Sequence, residues 1–481
     1  MVFDSATTVF SISLLSGIVW LLLKQRVERG KLPPGPPRHW LYGSEFPTSF
    51  TWLRFEEWTQ QYGPIFSLRR GGTNFIVIGR YEVEYCARSC SPDVERADIV
   101  QAAMEIMEKE GASLADRPRS IAVQETLCRN MRLLMMRAGE RFKKTRRAIQ
   151  SQLHPRTIQA YQPLQVRNAI NLIRDLVRDP DQHIGHAKRY AASLIITLTY
   201  GKPTPSTFEE PMVQQIMIFM SRFVKVARLG AYWVDSIPLL RYVPGYLTQL
   251  DTWHEEELSF YSTYVDEVKQ KINTDQDILK PNFVDNLIKN QKEYNMSEQE
   301  IAFLSGGLFL AGADTTAAAI SIAMMAAACF PEEQVKVQSQ IDAVVGLNRG
   351  FPHRATKDII WRGYHIPKGS TVLGSHWSIG RSPDVFPDPE KFSVDRWIDE
   401  SGKLRENIKS LNFGFGRRSL FITTAYILWA FRLREAPDAP IDTQGFTQTA
   451  NIHPLPFKVL FEPRVEANHL QEILKEEEMS L

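Results

Sequence analysis

The stretch Ser297–Phe330 constrains this chain more than any other. It opens Ser-Glu-Gln-Glu-Ile-Ala-Phe-Leu-Ser-Gly-Gly-Leu-Phe-Leu-Ala-Gly-Ala-Asp-Thr-Thr and runs through Ala- and Ile-rich sequence to Pro331. Ser297 with Glu300 forms a capping box, and Pro331 is a stop, so the spacing predicts one long helix. At 1.5 Å per residue it spans roughly 50 Å. A helix apolar nearly all round has to be buried. Asp314, Thr315 and Thr316 interrupt its middle beside Ala311, Gly312 and Ala313. A buried carboxylate is costly without a partner or a purpose. Two explanations stay open for Asp314 at this point: an acid paired with a distant arginine, or an acid and hydroxyl set beside a notch that small residues open.

The pattern Ala-Gly-Ala-Asp-Thr-Thr on a long apolar helix resembles the oxygen-binding helix of the cytochrome P-450 family. The resemblance implies that Ala311 and Gly312 line a haem, and that Asp314 and Thr315 are catalytic, relaying protons to dioxygen held there. It also implies the family's fold, mainly α with a small β-sheet region.

The 481 residues are enough for a sizeable core. A formal net charge of +2 offers no sign of a nucleic-acid partner. The four cysteines, Cys86, Cys90, Cys128 and Cys329, suggest neither a disulfide framework nor a zinc site. Cys329, at the end of the apolar helix, reads as an inert core thiol.

Ala6–Leu23 is uncharged and long enough for one membrane span, and Lys24, Arg26, Arg29 and Lys31 follow it. The positive-inside rule makes residues 1–31 a single-pass signal anchor with a cytosolic flank. Leu32-Pro-Pro-Gly-Pro-Pro37 reads as a stiff extended spacer. Anchor, basic flank and Pro-rich hinge together resemble microsomal, fungal-type members of the family, with residues 38–481 as the catalytic domain. That implies the endoplasmic-reticulum membrane, haem b, and electrons from NADPH through NADPH-cytochrome reductase. The implied substrate is a lipophilic small molecule, such as a terpenoid or polyketide of secondary metabolism.

Other segments carry the same resemblance. Phe55–Tyr62 is expected helical, and Ile65–Arg69 with Asn74–Ile78 reads as a hairpin about Gly71-Gly72. Residues 83–100 have no clean period and read as an insertion. Asp116-Arg117-Pro118 resembles the family's segment before its substrate-contacting loop, and the Pro-punctuated Trp233–Tyr246 resembles its substrate lid. Phe142 and Arg146 stand one helical turn apart, as the family's propionate-binding pair does. Arg354, in Pro-His-Arg, matches a second propionate contact. Phe413-Gly-Phe-Gly-Arg-Arg418 resembles the start of the haem-binding loop, which implies cofactor contacts at Phe413, Gly416 and Arg418.

Two expected pieces are missing. No Glu stands three residues before any arginine, so the helix bearing Glu-x-x-Arg is absent near 349/350, and Arg396 is expected to lack its partner. No cysteine follows Cys329, and Leu420 stands where the axial ligand should be, which marks a second deletion near 418/419. Leucine cannot ligate iron, so no metal ligand is assigned. Ser419–Arg432 is expected as the apolar helix beyond that loop. Two functions remain open: a haem-dependent monooxygenase, or a catalytically inactive, membrane-anchored remnant or splice form.

Overall fold

The computed structural model describes residues 32–39, 43–47, 51–70, 73–79, 106, 113–114, 116–152, 161–203, 207, 209–228, 230–274, 282–340, 353–354, 358–361, 364–375, 378, 388–389, 391–397, 417–447, 452–464 and 466–479. The expected anchor and its basic flank, the insertion at 83–100, and Phe413 and Gly416 lie outside the described residues. The chain divides into two compact units, one of Met1–Pro118 with Gly350–Gly380 and one of Arg119–Arg349 with Arg381–Leu481.

The first unit holds helix α1 (Thr51–Tyr62) and strands β1 (Ile65–Arg70), β2 (Thr73–Ile78), β3 (His353–Arg354), β4 (Ile359–Trp361), β5 (Tyr364–Ile366) and β6 (Thr371–Gly374). β1 and β2 form the expected antiparallel hairpin, and β6 adds to β2 in parallel, giving the order β1-β2-β6-β3. α1 covers this sheet with Phe55 and Trp58 edge-on to Phe66. The proline-rich stretch is not a free spacer. The Ser67 amide donates to the Pro34 carbonyl at 2.7 Å, and the Ser67 hydroxyl donates to that of Pro33 at 2.5 Å. Gly35 is required there, since a Cβ would stand 1.9 Å from the Ser67 carbonyl oxygen.

The second unit is mainly helical: α2 (Glu140–Gln152), α3 (Gln162–Arg178), α4 (His183–Tyr200), α5 (Pro211–Ala227), α6 (Thr248–Asn273), α7 (Phe283–Lys289), α8 (Gln291–Tyr294), α9 (Glu298–Cys329), α10 (Pro331–Gln340), α11 (Arg417–Ala430) and α12 (Ala467–Met479). A hairpin of β7 (Phe431–Glu435) and β8 (Val459–Pro463) completes it. The predicted central helix is α9, and both halves of its capping box are formed. It is long and apolar enough to cross a membrane, yet most of it is buried among other helices, so its apolarity belongs to a core. Residues Ile301–Ala313 join one hydrophobic cluster with α5 and α6. Ala317–Ala328 join another with α3, α4 and α11. Asp314, Thr315 and Thr316 fall at the seam between the two.

The structure adjusts one sequence expectation and adds two findings to it. The helix expected at Ser419–Arg432 starts at Arg417 and stops at Ala430, where Phe431 pairs as a strand with Pro463. Helix α6 was not anticipated at all. Arg396 is not left alone: its Nη2 donates to the carbonyls of Asp388, at 3.1 Å, and Lys391. The surrounding segment is tied to α10, where Glu333 accepts from the Val394 amide at 2.7 Å and Lys336 meets Asp395 at 2.5 Å.

Candidate functional site

Asp314 is buried at the seam, 8% exposed. Its Oδ1 lies 3.1 Å from Nε2 of His453, so a histidine faces it. His453 comes from the loop before β8 and remains partly open to solvent. Its amide donates to the Thr447 hydroxyl at 2.9 Å, and its carbonyl accepts from the Thr447 amide at 2.8 Å. Pro454 follows, which favours extended backbone at His453. The loop therefore holds the imidazole with one nitrogen on a buried carboxylate. Sequence reasoning missed His453. Its only signal is a histidine in Ile-His-Pro, which alone suggests nothing.

Thr315 donates its hydroxyl proton to the Ala311 carbonyl one turn back, at 2.7 Å. That bond leaves the lone pairs of Oγ1 free to accept. Ala311 is exposed, whereas Gly312 turns to α4, where a Cβ would meet Ile195 at 2.9 Å. The two small residues thus do different things. Ala311 and Thr315 share an open face, and Gly312 permits close helix packing.

Phe142 and Arg146 share a face of α2, the guanidinium carbon 5.8 Å from the ring centroid, and Arg146 is exposed. The neighbouring basic residues are engaged elsewhere. Arg141 and Lys144 reach Glu300 at 2.7 and 2.9 Å, the same glutamate that closes the capping box of α9. Burial alone would raise the Glu300 carboxyl, but Lys144, the Ser297 amide and Arg141 outweigh it and hold the group below its usual range. Arg354 lies on β3, paired with Thr371. Arg418 lies in the first turn of α11. The described side chains do not include those of Arg354 and Arg418.

The donor set decides whether a haem iron could be held as the resemblance implies. Burial pushes the Cys128 thiol up to about 12. Burial, with Glu435 beside it, does the same at Cys329, also to about 12. Cys128 is enclosed in the first core cluster, and Cys329 ends α9 with its Sγ 3.9 Å from Glu435 Oε1, so both thiols are taken up in packing. Leu420, at the ligand position, is held in α11 against the second core cluster. Helix begins at Arg417. Among the described residues, none fits the proximal side of a haem-thiolate centre.

The cytochrome P450 family profile matches residues 98–352 and 349–420, in two pieces that meet at 349–352. Cytochrome P450 monooxygenase 64 of Postia placenta is 41% identical over 97% of this chain and 98% of its own length. Cytochrome P450 monooxygenase 113 of the same fungus is 42% identical, over 94% of this chain and 95% of its own length. Cytochrome P450 monooxygenase fogE of Aspergillus ruber is 28% identical, over 84% and 81%. The alignment to the first runs over 504 positions, more than the 481 residues of this chain, so it includes gaps on this chain's side.

Proposed function

The chain belongs to the cytochrome P450 family of monooxygenases, and from that premise we propose that its gene serves the oxidation of a lipophilic small molecule, of a terpenoid or polyketide kind, at the endoplasmic-reticulum membrane. The observation that carries this reading is the seam site. An acid and a hydroxyl interrupt a buried apolar helix where two cores meet, and a partly exposed histidine faces the acid. His453 can take a proton from solvent and pass it to Asp314, while Thr315 offers a hydroxyl on the open face beside Ala311. Haem b, reduced from NADPH through a reductase, would supply the oxidising chemistry in a form of the protein able to ligate it.

Exposed Trp233, Ile237, Leu239, Tyr242 and Val243 give the 233–246 segment an apolar surface suited to lipid, in keeping with an anchor at residues 1–31. The break of the family match at 349–352 and its end at 420 support loss of two internal segments, near 349/350 and 418/419. The present chain then keeps the oxygen-side half of the site and lacks the metal-side half. The second reading, an inactive form, rests on Leu420 standing in α11 at the position where the resemblance implies the axial ligand.

Transcript sequencing across Arg349/Gly350 and Arg418/Ser419, followed by expression of each version, tests both readings. A reduced carbon-monoxide difference spectrum should show a thiolate-type Soret band only for a version that restores a cysteine after Arg418. Such a band from the present chain would overturn the inactive reading. Its absence from the restored version would overturn the oxidase reading.

A further inference from the structure

The segment Trp233–Tyr246 makes a contact that neither hydropathy nor resemblance suggests. A single π-helical turn, Ile121–Leu127, follows Asp116-Arg117-Pro118 and packs against α5 and α6. At its start, the Asp235 carboxylate takes three donors from sequence more than 110 residues away. Oδ1 accepts from the amides of Ile121 at 2.6 Å and Ala122 at 3.1 Å. The Ser120 hydroxyl, 3.2 Å from both carboxylate oxygens, donates to Asp235 and accepts from the Val123 amide at 3.1 Å. A second tie lies at the far end, where Glu125 receives Arg119 at 2.5 Å and Arg241 at 3.3 Å.

We infer that Asp235 is a positioning residue, through which the 233–242 segment holds the 121–127 turn in place. A helical start leaves backbone amides without intrahelical acceptors. Ser120 satisfies that of Val123, and the two before it, of Ile121 and Ala122, are satisfied by a residue of another segment. The turn therefore depends on that segment for its own hydrogen bonds. Ile121, Val123 and Leu127 carry the consequence inward, since all three are buried in the first core cluster. The inference rests on the family reading in one respect only, that this turn contacts substrate.

Hydrogen–deuterium exchange of the full chain, read by mass spectrometry on peptides covering 120–128, tests the tie. Asp235→Ala should speed exchange there by about tenfold, the factor equivalent to about 1.4 kcal/mol. Asp235→Asn keeps a carbonyl oxygen as acceptor and should retain most of the protection. Peptides from α9 report whether the variants fold. If Asp235→Ala loses protection in α9 as well, Ser120→Ala takes its place, and faster exchange confined to 120–128 is again expected. Unchanged exchange at 120–128 in a folded variant would overturn the inference. The measurement needs no haem and no substrate, so a failed spectrum for the oxidase reading leaves this result standing.

Discussion

At the scale of single residues, the groups that matter differ in how far sequence betrays them. Asp314 stands out because an acid in an unbroken apolar helix has no cheap explanation. His453 and the pair Arg132–Glu257 do not stand out, because their partners arrive from far along the chain. Glu257 sits in Trp253-His-Glu-Glu-Glu, which reads as a solvated charge run, yet it is fully buried against Arg132. The Arg132 guanidinium also lies 4.7 Å from the Phe223 ring centroid. Burial pushes the Glu257 carboxyl up, and the pull of Arg132 opposes it. Removing one partner strands the other charge. Glu257→Ala should destabilise the chain by about 3–5 kcal/mol, as measured by urea unfolding. The double variant Arg132→Met, Glu257→Leu should recover much of that loss, because it removes both desolvation costs together. A double variant no more stable than Glu257→Ala would show that the pair contributes through specific geometry instead.

At the scale of elements, α9 was legible because its cap, its length and its stop all agree. Helix α6 was not, although it has 26 residues. Its buried face is Leu250, His254, Glu257, Tyr261, Val265 and Val268, spaced three and four apart. Half of that stripe is polar or amphipathic, so the helical period is present in burial and invisible in hydrophobicity. The contact of α6 with α9 also separates two adjacent glycines that sequence cannot tell apart. A Cβ at Gly306 would meet the buried Tyr261 ring at 2.3 Å, whereas nothing lies within 4 Å of one at Gly307. Gly306→Ala should therefore cost about 1–3 kcal/mol through overpacking. Gly307→Ala should stabilise by about 0.5–1 kcal/mol, since alanine restricts the unfolded chain and adds no clash. Thermal unfolding of the two variants, taken side by side, checks the opposite signs.

At the scale of the whole molecule, the two losses proposed above would fall where they do least damage to packing. The first lies at 349/350, which is also where the chain passes from the helical unit back to the sheet unit. The second lies at the start of α11, whose apolar body still reaches the second core cluster. Each unit keeps its own core, so loss of both segments, as proposed, would spare folding. The order of elements is readable from sequence for that reason, since each core is carried by elements away from the two junctions. Arg396 shows the local adjustment, donating to backbone carbonyls where the resemblance implies a Glu-x-x-Arg brace. The brace and the cysteine should then act together. A chain restored only near 418/419 should take up less haem per protein than one restored at both junctions, read as Soret absorbance against protein concentration. The present chain should match both in far-ultraviolet circular dichroism per residue, to within the few helical turns added. Equal haem uptake by the two restored chains would show that the segment at 349/350 is dispensable for holding the cofactor, and that the carbonyl contacts of Arg396 suffice in its place.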